Sequence, residues 1–379
     1  MPTHRFNRPR LPSHYYIWFE PPDRSGDEVL RFASARRRIK LKGHSFREFQ
    51  QLVIPLLDGQ HSFDEIAAKV SETFAPEDLE AGLNLLAEQH LLQDAANDET
   101  KTPERLAPQL NFFHEVDMDP AQMQQRYSQS TVSVFGLSGA GAGVAQALAT
   151  AGVGEVRCVD SGTITTEDTY LSPSFVAGEI GKPRAEVLVE KISASAPEVK
   201  VSAHQQTIET EDEVLKLITG SNFVVCCLDQ GLSSLVYKLN RACLKANISW
   251  TSSSPAGSEI VVGPTVVPFE SACYLCYKMR TVACAGNPEE EFAFETFLDR
   301  RKQDDSARRE NLVFGVGLAS NLLSLEAFKA LSNTIEPSLV GQIFIFNQLT
   351  LESNKHLVLR KPWCPACFKT VEVASAAAK

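Results

Sequence analysis

Thr131-Val-Ser-Val-Phe-Gly-Leu-Ser-Gly-Ala-Gly141 decides the fold. Thr131 to Phe135 is rich in β-branched and aromatic residues and reads as a strand. Gly136 to Gly141 is a glycine turn, and Ala142 to Thr150 behind it reads as a helix. Glu155-Val-Arg-Cys-Val-Asp160 is the next strand. Strand, turn, helix and strand in this order build a parallel sheet with helices on both faces. Further strands are expected at Asn222 to Leu228, Ile260 to Val267 and Gln342 to Phe346. Asn311 to Ala330 reads as a long helix, apolar on most sides, and so buried against the sheet or a second subunit.

The glycine turn has two readings. Backbone N–H groups and the dipole at a helix start favour a phosphate, and Asp160 stands where a carboxylate can bond a ribose. Alternatively, the glycines only tighten a strand-to-helix turn. Asp229 ends the strand Val224-Val-Cys-Cys-Leu228. It faces the ligand crevice if that end is the carboxyl edge of the sheet, or else it is a solvated loop residue.

Cysteine spacing carries a stronger signal. Of nine cysteines, four form two C-x-x-C pairs, Cys273/Cys276 and Cys364/Cys367. A two-residue spacer lets both thiolates reach one tetrahedral ion, and two pairs complete a closed, structural zinc site. Such a site ties the C-terminal segment back onto the domain. Cys226 and Cys227 sit in an apolar strand and read as core. Cys284 follows Arg280, which suits a low-pKa thiolate, but its polar loop offers no evident base. The eight histidines form no ligand spacing.

A polar stretch from Asp94 to Glu104 separates this region from a smaller one. The expected organisation is a small domain over 1–94, a linker and connecting helix over 95–130, and an α/β domain over 131–379. In the small domain, strands are expected at His14 to Glu20, Glu28 to Ala35 and Arg37 to Lys42. Ile39 and Leu41 alternate with Arg38, Lys40 and Lys42, giving one apolar and one basic face. Three helices follow. Ser45/Glu48 and Ser62/Glu65 both have capping-box spacing, Gly59 suits the end of the first helix, and Pro76 suits a first helical position. Leu79, Leu83, Leu86 and Leu91 are expected mainly on one face of the third helix. Three strands and three short helices suggest a winged-helix-like α+β module. The basic stretch Arg36 to Lys42 is a solvated strand face, an anion or DNA contact, or an edge strand that accepts a peptide.

The net charge of −10 argues against a dedicated nucleic-acid binder. No apolar run reaches the ~18 residues that span a bilayer, and the basic start lacks an apolar segment behind it. The expected location is the cytoplasm.

Residues from about 131 to 370 resemble the ThiF/MoeB/MccB family of adenylating enzymes. The resemblance runs through the glycine turn, Ala151-Gly-Val-Gly154, Asp160, Gly181-Lys-Pro-Arg-Ala185, Leu228-Asp229, both C-x-x-C pairs and the helix Gly315 to Leu331. It implies a homodimeric Rossmann-like fold with zinc on the four cysteines. It also implies a nucleotide set of Gly136, Gly139, Gly141, Asp160, Arg184 and Asp229.

Departures make that set vestigial. Ser138 replaces a second loop glycine, and Gly162 replaces a second aspartate. Leu171 and Pro108 stand where the family has arginines for the ATP phosphates, and Arg184 stands for its lysine. Fixed cations lower the barrier of a charged transition state, so their loss points away from ATP use by this chain itself.

Arg8-Pro-Arg-Leu-Pro-Ser-His14, Pro55-Leu-Leu-Asp-Gly59 and Asp64-Glu-Ile66 resemble the PqqD-like leader-recognition domain of ribosomal peptide pathways. The whole chain then resembles the ThiF-like partner of a YcaO cyclodehydratase, which makes azole-containing peptides such as bacteriocins. No YcaO-like region follows Lys379, so that partner is expected as a separate chain. The resemblance implies that the precursor leader binds along Arg37, Arg38, Ile39, Lys40 and Leu41, against Leu79, Leu83 and Leu86. The core would then be presented for ATP-dependent azoline formation. The competing expectation is an active adenylating enzyme acting on a peptide carboxylate, and a third is a DNA-binding regulator.

Overall fold

A computed structural model describes residues 6–20, 27–95, 102–227, 233–300 and 311–368. By contact the chain divides into two units, Met1–Gln125 and Arg126–Lys379.

In the first unit, alternation of apolar and polar residues produces a three-stranded antiparallel sheet. Strand β1 (Pro9–Arg10) precedes β2 (Tyr16–Glu20), β3 (Glu28–Ala33) and β4 (Arg38–Gly43). The sheet order is β2-β3-β4. Its inner face carries the pairs Leu30↔Leu41 and Phe32↔Ile39. A helical run follows: α1 (Phe46–Glu48), a π turn (Phe49–Val53) and a 3-10 turn (Ile54–Leu56). Then come α2 (Phe63–Val70), α3 (Pro76–Glu88), β5 (Gln93–Asp94), which pairs β1, α4 (Ala107–Glu115) and α5 (Pro120–Ser128). Leu30, Phe32, Leu41, Phe49, Ile66, Leu79, Leu83, Leu86 and Leu91 fill the core.

The two capping-box expectations divide. Ser62 and Glu65 form the reciprocal pair, with Ser62 N–H to Glu65 Oε2 at 2.8 Å and Glu65 N–H to Ser62 Oγ at 3.3 Å. Ser45 caps nothing with its side chain, because its backbone is left-handed at φ 60°. Glu28 at the start of β3 takes the role instead, accepting from Phe46 N–H at 2.7 Å and Arg47 N–H at 3.2 Å. Gly59 lies beyond the first helix, at φ 79°, and donates its N–H to Pro9 O.

The second unit contains β6 (Thr131–Phe135), α6 (Ala140–Thr150), β7 (Glu155–Val159), α7 (Thr166–Leu171), α8 (Arg184–Ser195), β8 (Lys200–His204), α9 (Glu211–Ile218) and β9 (Phe223–Cys226). There follow α10 (Ser233–Ala246), β10 (Ser249–Ala256), β11 (Glu259–Val262), α11 (Tyr274–Ala283), α12 (Pro288–Arg300), α13 (Val313–Ser332), β12 (Gln342–Asn347) and β13 (Ser353–Leu357). One mixed sheet runs β13-β12-β11-β10-β9-β6-β7-β8. Strands β10 to β8 along that order are parallel, and β11, β12 and β13 continue antiparallel. The parallel part has its switch point between β6 and β9, where a doubly wound sheet opens a crevice.

The strand expected over Ile260 to Val267 ends at Val262. Gly263 turns at φ 94°, and Pro264 has no N–H to donate to a ladder. The long helix α13 is buried on one side only. Gly315, Ala319, Ser320, Leu323, Glu326 and Ala327 face inward, and Ser320 Oγ donates to Ala140 O of α6 at 2.8 Å. Phe314, Gly317, Asn321 and Leu325 are exposed on the other side.

Candidate functional site

The crevice begins where β6 stops. Gly136 and Gly139 adopt φ 79° and 61°, and a Cβ on Gly141 would collide with Gly136 O. These glycines are therefore needed for the turn itself, whatever binds there.

Asp160 follows β7 and is turned inward. Its Oδ2 accepts from Leu137 N–H at 2.6 Å and its Oδ1 from Gly162 N–H at 2.6 Å. The carboxylate thus stitches the glycine turn to the end of β7.

Arg184 opens α8 and is 5% exposed. Its Nε donates to Asp168 Oδ2 at 2.8 Å, and its Nη1 reaches Asp160 Oδ1 at 3.4 Å. Asp168 is fully buried and also accepts from Thr165 N–H at 2.8 Å as part of the α7 cap. A Cβ on Gly162 would run into Arg184 Nη1. The small residue at 162 and the large cation at 184 are therefore one arrangement: the guanidinium fills the space that a side chain at 162 would need.

Two apolar side chains stand over the glycine turn. A Cβ at Gly139 would lie 3.3 Å from Val316 Cγ1 and 4.0 Å from Leu171 Cβ. Leu171 is 4% exposed. The neighbouring cleft is lined by Gly139, Leu171, Cys227, Ser253, Val316 and Gln348 among others, and no lysine or arginine lines it among the described residues. Lys182 is exposed. Pro108 lies in the first turn of α4. Asp229 lies outside the described residues.

The four paired cysteines converge. All are buried, and their sulfurs lie within 4.8 Å of one another. Cys273 to Cys276 is 3.9 Å, Cys273 to Cys364 is 3.8 Å and Cys276 to Cys367 is 3.6 Å. Tetrahedral zinc with bonds of about 2.3 Å sets sulfurs about 3.8 Å apart, so the donor set fits a metal. Lys361 N–H donates to Cys276 Sγ at 3.3 Å, and a hydrogen bond to the sulfur steadies a thiolate. Cys226 and Cys227 are buried core. Burial pushes the Cys158 thiol up to about 12, with the Asp160 charge adding to it, so it is no nucleophile. Cys284 is exposed at the far end of α11 from Cys273.

In the first unit, β4 is an outer strand. Arg38, Lys40 and Lys42 are exposed, Ile39 is half-buried and Leu41 is buried. Leu79, Leu83 and Leu86 are buried in the unit's own core and offer no surface to a peptide, which corrects the expected contact. Arg37 also turns away from the strand: its Nη2 pairs with Asp117 and its N–H donates to Ser34 Oγ at 3.0 Å.

That turn is held by a buried cluster the sequence did not signal. Glu115 Oε1 accepts from Ser34 Oγ and Arg36 N–H, both at 2.7 Å. His14 Nε2 lies 3.2 Å from Glu115 Oε2, an ion-pair distance without hydrogen-bond alignment. His114 packs edge-on 5.5 Å from His14. Burial, then the charges of His14 and Arg37, pull the His114 imidazole down to about 4.

The chain is 24% identical over 245 residues to the sulfur carrier protein ThiS adenylyltransferase of Escherichia coli, covering 64% of this chain and 88% of that protein. It is 22% identical over 244 residues to the molybdopterin-synthase adenylyltransferase of Salmonella typhimurium, covering 64% and 89%. Among solved structures, E. coli MccB with succinimide superposes at TM-score 0.64 and 17% identity, covering 95% of this chain and 100% of that one. E. coli MccB with MccA-N7isoASN gives 0.65 and 16%, covering 95% and 99%. At such identities the structural likeness is one of fold. Residues 106–366 match the ThiF family, well over half of the 379, and the protein belongs to that family.

Proposed function

We propose that this protein binds the leader of a ribosomally made precursor peptide and presents its core to a separate YcaO-type cyclodehydratase, which spends the ATP. The observation that carries the reading is Arg184. The cation at the family's lysine position is buried between Asp160 and Asp168, and Leu171 and Val316 stand over the glycine turn instead of arginines. A phosphate there would meet apolar side chains and, among the described residues that line the cleft, no lysine or arginine. The open edge of β4 supports strand addition by a peptide. The likeness to MccB, a microcin C7 biosynthetic enzyme whose structure is known in complex with N-formylated MccA, supports a place in peptide maturation.

In this reading the four cysteines hold one zinc ion, whose chemistry is structural: it clamps the segment around Cys364 and Cys367 to the start of α11. The exposed face of α13, with Phe314 81% and Leu325 50% exposed, packs against a second copy.

The second reading is an active adenylating enzyme on a peptide carboxylate. It is favoured by the adenylyltransferase relatives and by an MccB structure with ATP. One experiment separates the two. The purified protein alone, given precursor peptide and ATP, is expected to give no ATP–pyrophosphate exchange, and ATP consumption is expected only when a YcaO protein is added. Peptide-dependent exchange by this chain alone would reject the scaffold reading in favour of the second.

A further inference from the structure

The three-stranded sheet of the first unit ends on β4 at one side and on β2 at the other. Ser34 N–H donates to Arg37 O at 3.0 Å across the β3–β4 turn. In an antiparallel pair, hydrogen-bonded and non-hydrogen-bonded residue pairs alternate. Phe32↔Ile39 and Leu30↔Leu41 therefore carry the bonds between β3 and β4. The backbone groups of Arg31 and Ala33 turn the other way and bond β2 at Trp18 and Tyr16. The N–H and C=O groups left for the open edges are those of Arg38, Lys40 and Lys42 on β4, and of Ile17 and Phe19 on β2. Among the described residues, no further backbone hydrogen bond reaches Ile17 or Phe19.

The two edges are built differently. Proteins usually guard an unpaired strand with charge, proline or a bulge. β4 has Arg38, Lys40 and Lys42. β2 reads Tyr16-Ile-Trp-Phe-Glu20, with no cation, no proline and an unbroken register. Its one charge, Glu20, is already paired with Arg31 at 2.6 Å. Tyr16 is 78% and Trp18 40% exposed. Ile17 and Phe19, on the opposite face, are half-buried. An apolar edge of this kind is a template for another strand.

We infer that β2 pairs with β2 of a second copy of this chain, antiparallel and centred on Trp18, so that two three-stranded sheets become one. The pattern about Trp18 selects the strand's own copy. A two-fold axis there sets Ile17 opposite the partner's Phe19, and Phe19 opposite the partner's Ile17. These are the residues whose backbone groups face the edge, so all of those groups are used and four hydrogen bonds form. Centring the axis on Ile17 or on Phe19 keeps the parity but leaves only two bonds within the strand. In the Trp18 register, Trp18 and the partner's Trp18 share a non-hydrogen-bonded rung, where side chains stand closest and aromatic pairs stabilise a sheet. Tyr16 falls opposite the partner's Glu20 on the same face, and Ile17 meets Phe19 on the other. An unrelated extended peptide would gain the same backbone bonds, but β2 has no unpaired charge to select one. The inference rests neither on the α13 contact nor on peptide binding at β4, which stays open at each end of the joined sheet.

The test is disulfide trapping in the full-length protein carrying Cys284→Ser, since the other cysteines are buried. Trp18→Cys and Tyr16→Cys are each oxidised with glutathione disulfide, and covalent dimer is followed on non-reducing gels. Two Trp18 positions on one non-hydrogen-bonded rung have Cα atoms about 4.5 Å apart, within the reach of a disulfide. Two Tyr16 positions are offset by about 13 Å along the strands, which is beyond it. Trp18→Cys should therefore cross-link about tenfold faster or more. Comparable rates for the two variants, or no dimer from Trp18→Cys, would overturn the pairing. Trp18→Lys puts a guard at the centre of the edge. It should speed amide exchange at Ile17 and Phe19 and leave Leu30 and Phe32, bonded within the sheet, unchanged. Equal exchange at Ile17 and Phe19 in wild type and variant would also overturn it. Faster cross-linking of Trp18→Cys to a cysteine-bearing Val–Thr peptide than to its own copy would assign the edge to a peptide and overturn the inference.

Discussion

Arg184 is held between two carboxylates of its own chain. An arginine in the position of a phosphate-binding lysine would be expected to do the same work with a longer arm. Here the arm is folded back between Asp160 and Asp168, and Gly162 makes room for it. Gly162→Ala should displace the guanidinium and cost about 1–3 kcal/mol, the usual penalty for overpacking. Arg184→Met should cost about 3–5 kcal/mol, because two buried carboxylates lose their counter-ion. Urea unfolding followed on the buried Trp250 reads both. An unchanged midpoint for Gly162→Ala would mean that the guanidinium is not confined there. His114 gives a pH dependence. Its folded value, about 4, lies below the ordinary 6.5, so the unfolded chain takes up the proton first as pH falls. Stability from this group is complete above about pH 6.5 and is lost between there and about pH 4. The loss from pH 7 to pH 5 should be about 2 kcal/mol. His114→Gln should flatten that slope in melts at the two pH values; an equal slope would assign the titration to another group.

At the scale of elements, caps and edges decide more than propensity. Ser45 and Ser62 look alike in sequence, yet only Ser62 caps a helix. Glu28 reaches the helix start at Phe46 because β3 and β4 are paired antiparallel, which brings Glu28 opposite Gly43. Glu28→Gln should therefore destabilise the protein by about 1 kcal/mol, while Ser45→Gly should be neutral or stabilising, since a left-handed backbone favours glycine. The reverse order in thermal melts would refute this account of the cap. For β4, the parity of the ladder separates two prolines. Lys40→Pro removes a donor that points outward and should weaken peptide binding with little change in stability, as edge strands tolerate proline there. Ile39→Pro breaks the internal ladder and should destabilise the fold itself. Peptide titration alongside circular dichroism distinguishes them.

Across the whole molecule, the cysteine cluster closes a long loop. Cys273 and Cys364 lie 91 residues apart and their sulfurs are in contact. If the site holds zinc, elemental analysis should give one metal per chain. Cys364→Ser should release it and lower the melting temperature, and a metal-free wild type of unchanged stability would refute the clamp. This site was legible in sequence because its information is local: each pair is spaced i, i+3, and both pairs are buried. The parallel sheet was legible for the same reason, since strand and helix periodicity and the glycine turn are short-range patterns. The cleft was legible only in part. Leu171, Arg184 and Pro108 stood out as departures, but nothing in the sequence says that Arg184 folds inward or that Val316 stands beside Leu171 over Gly139. The cluster of His14, His114 and Glu115 left no trace, because His14 lies far along the chain from the adjacent His114 and Glu115 and shares no spacing with them. Local order follows from side-chain periodicity and turn chemistry, which neighbouring residues impose on each other. Which buried charge meets which, and which leucines remain on the surface, depends on packing between distant elements, and only the tertiary structure decided it.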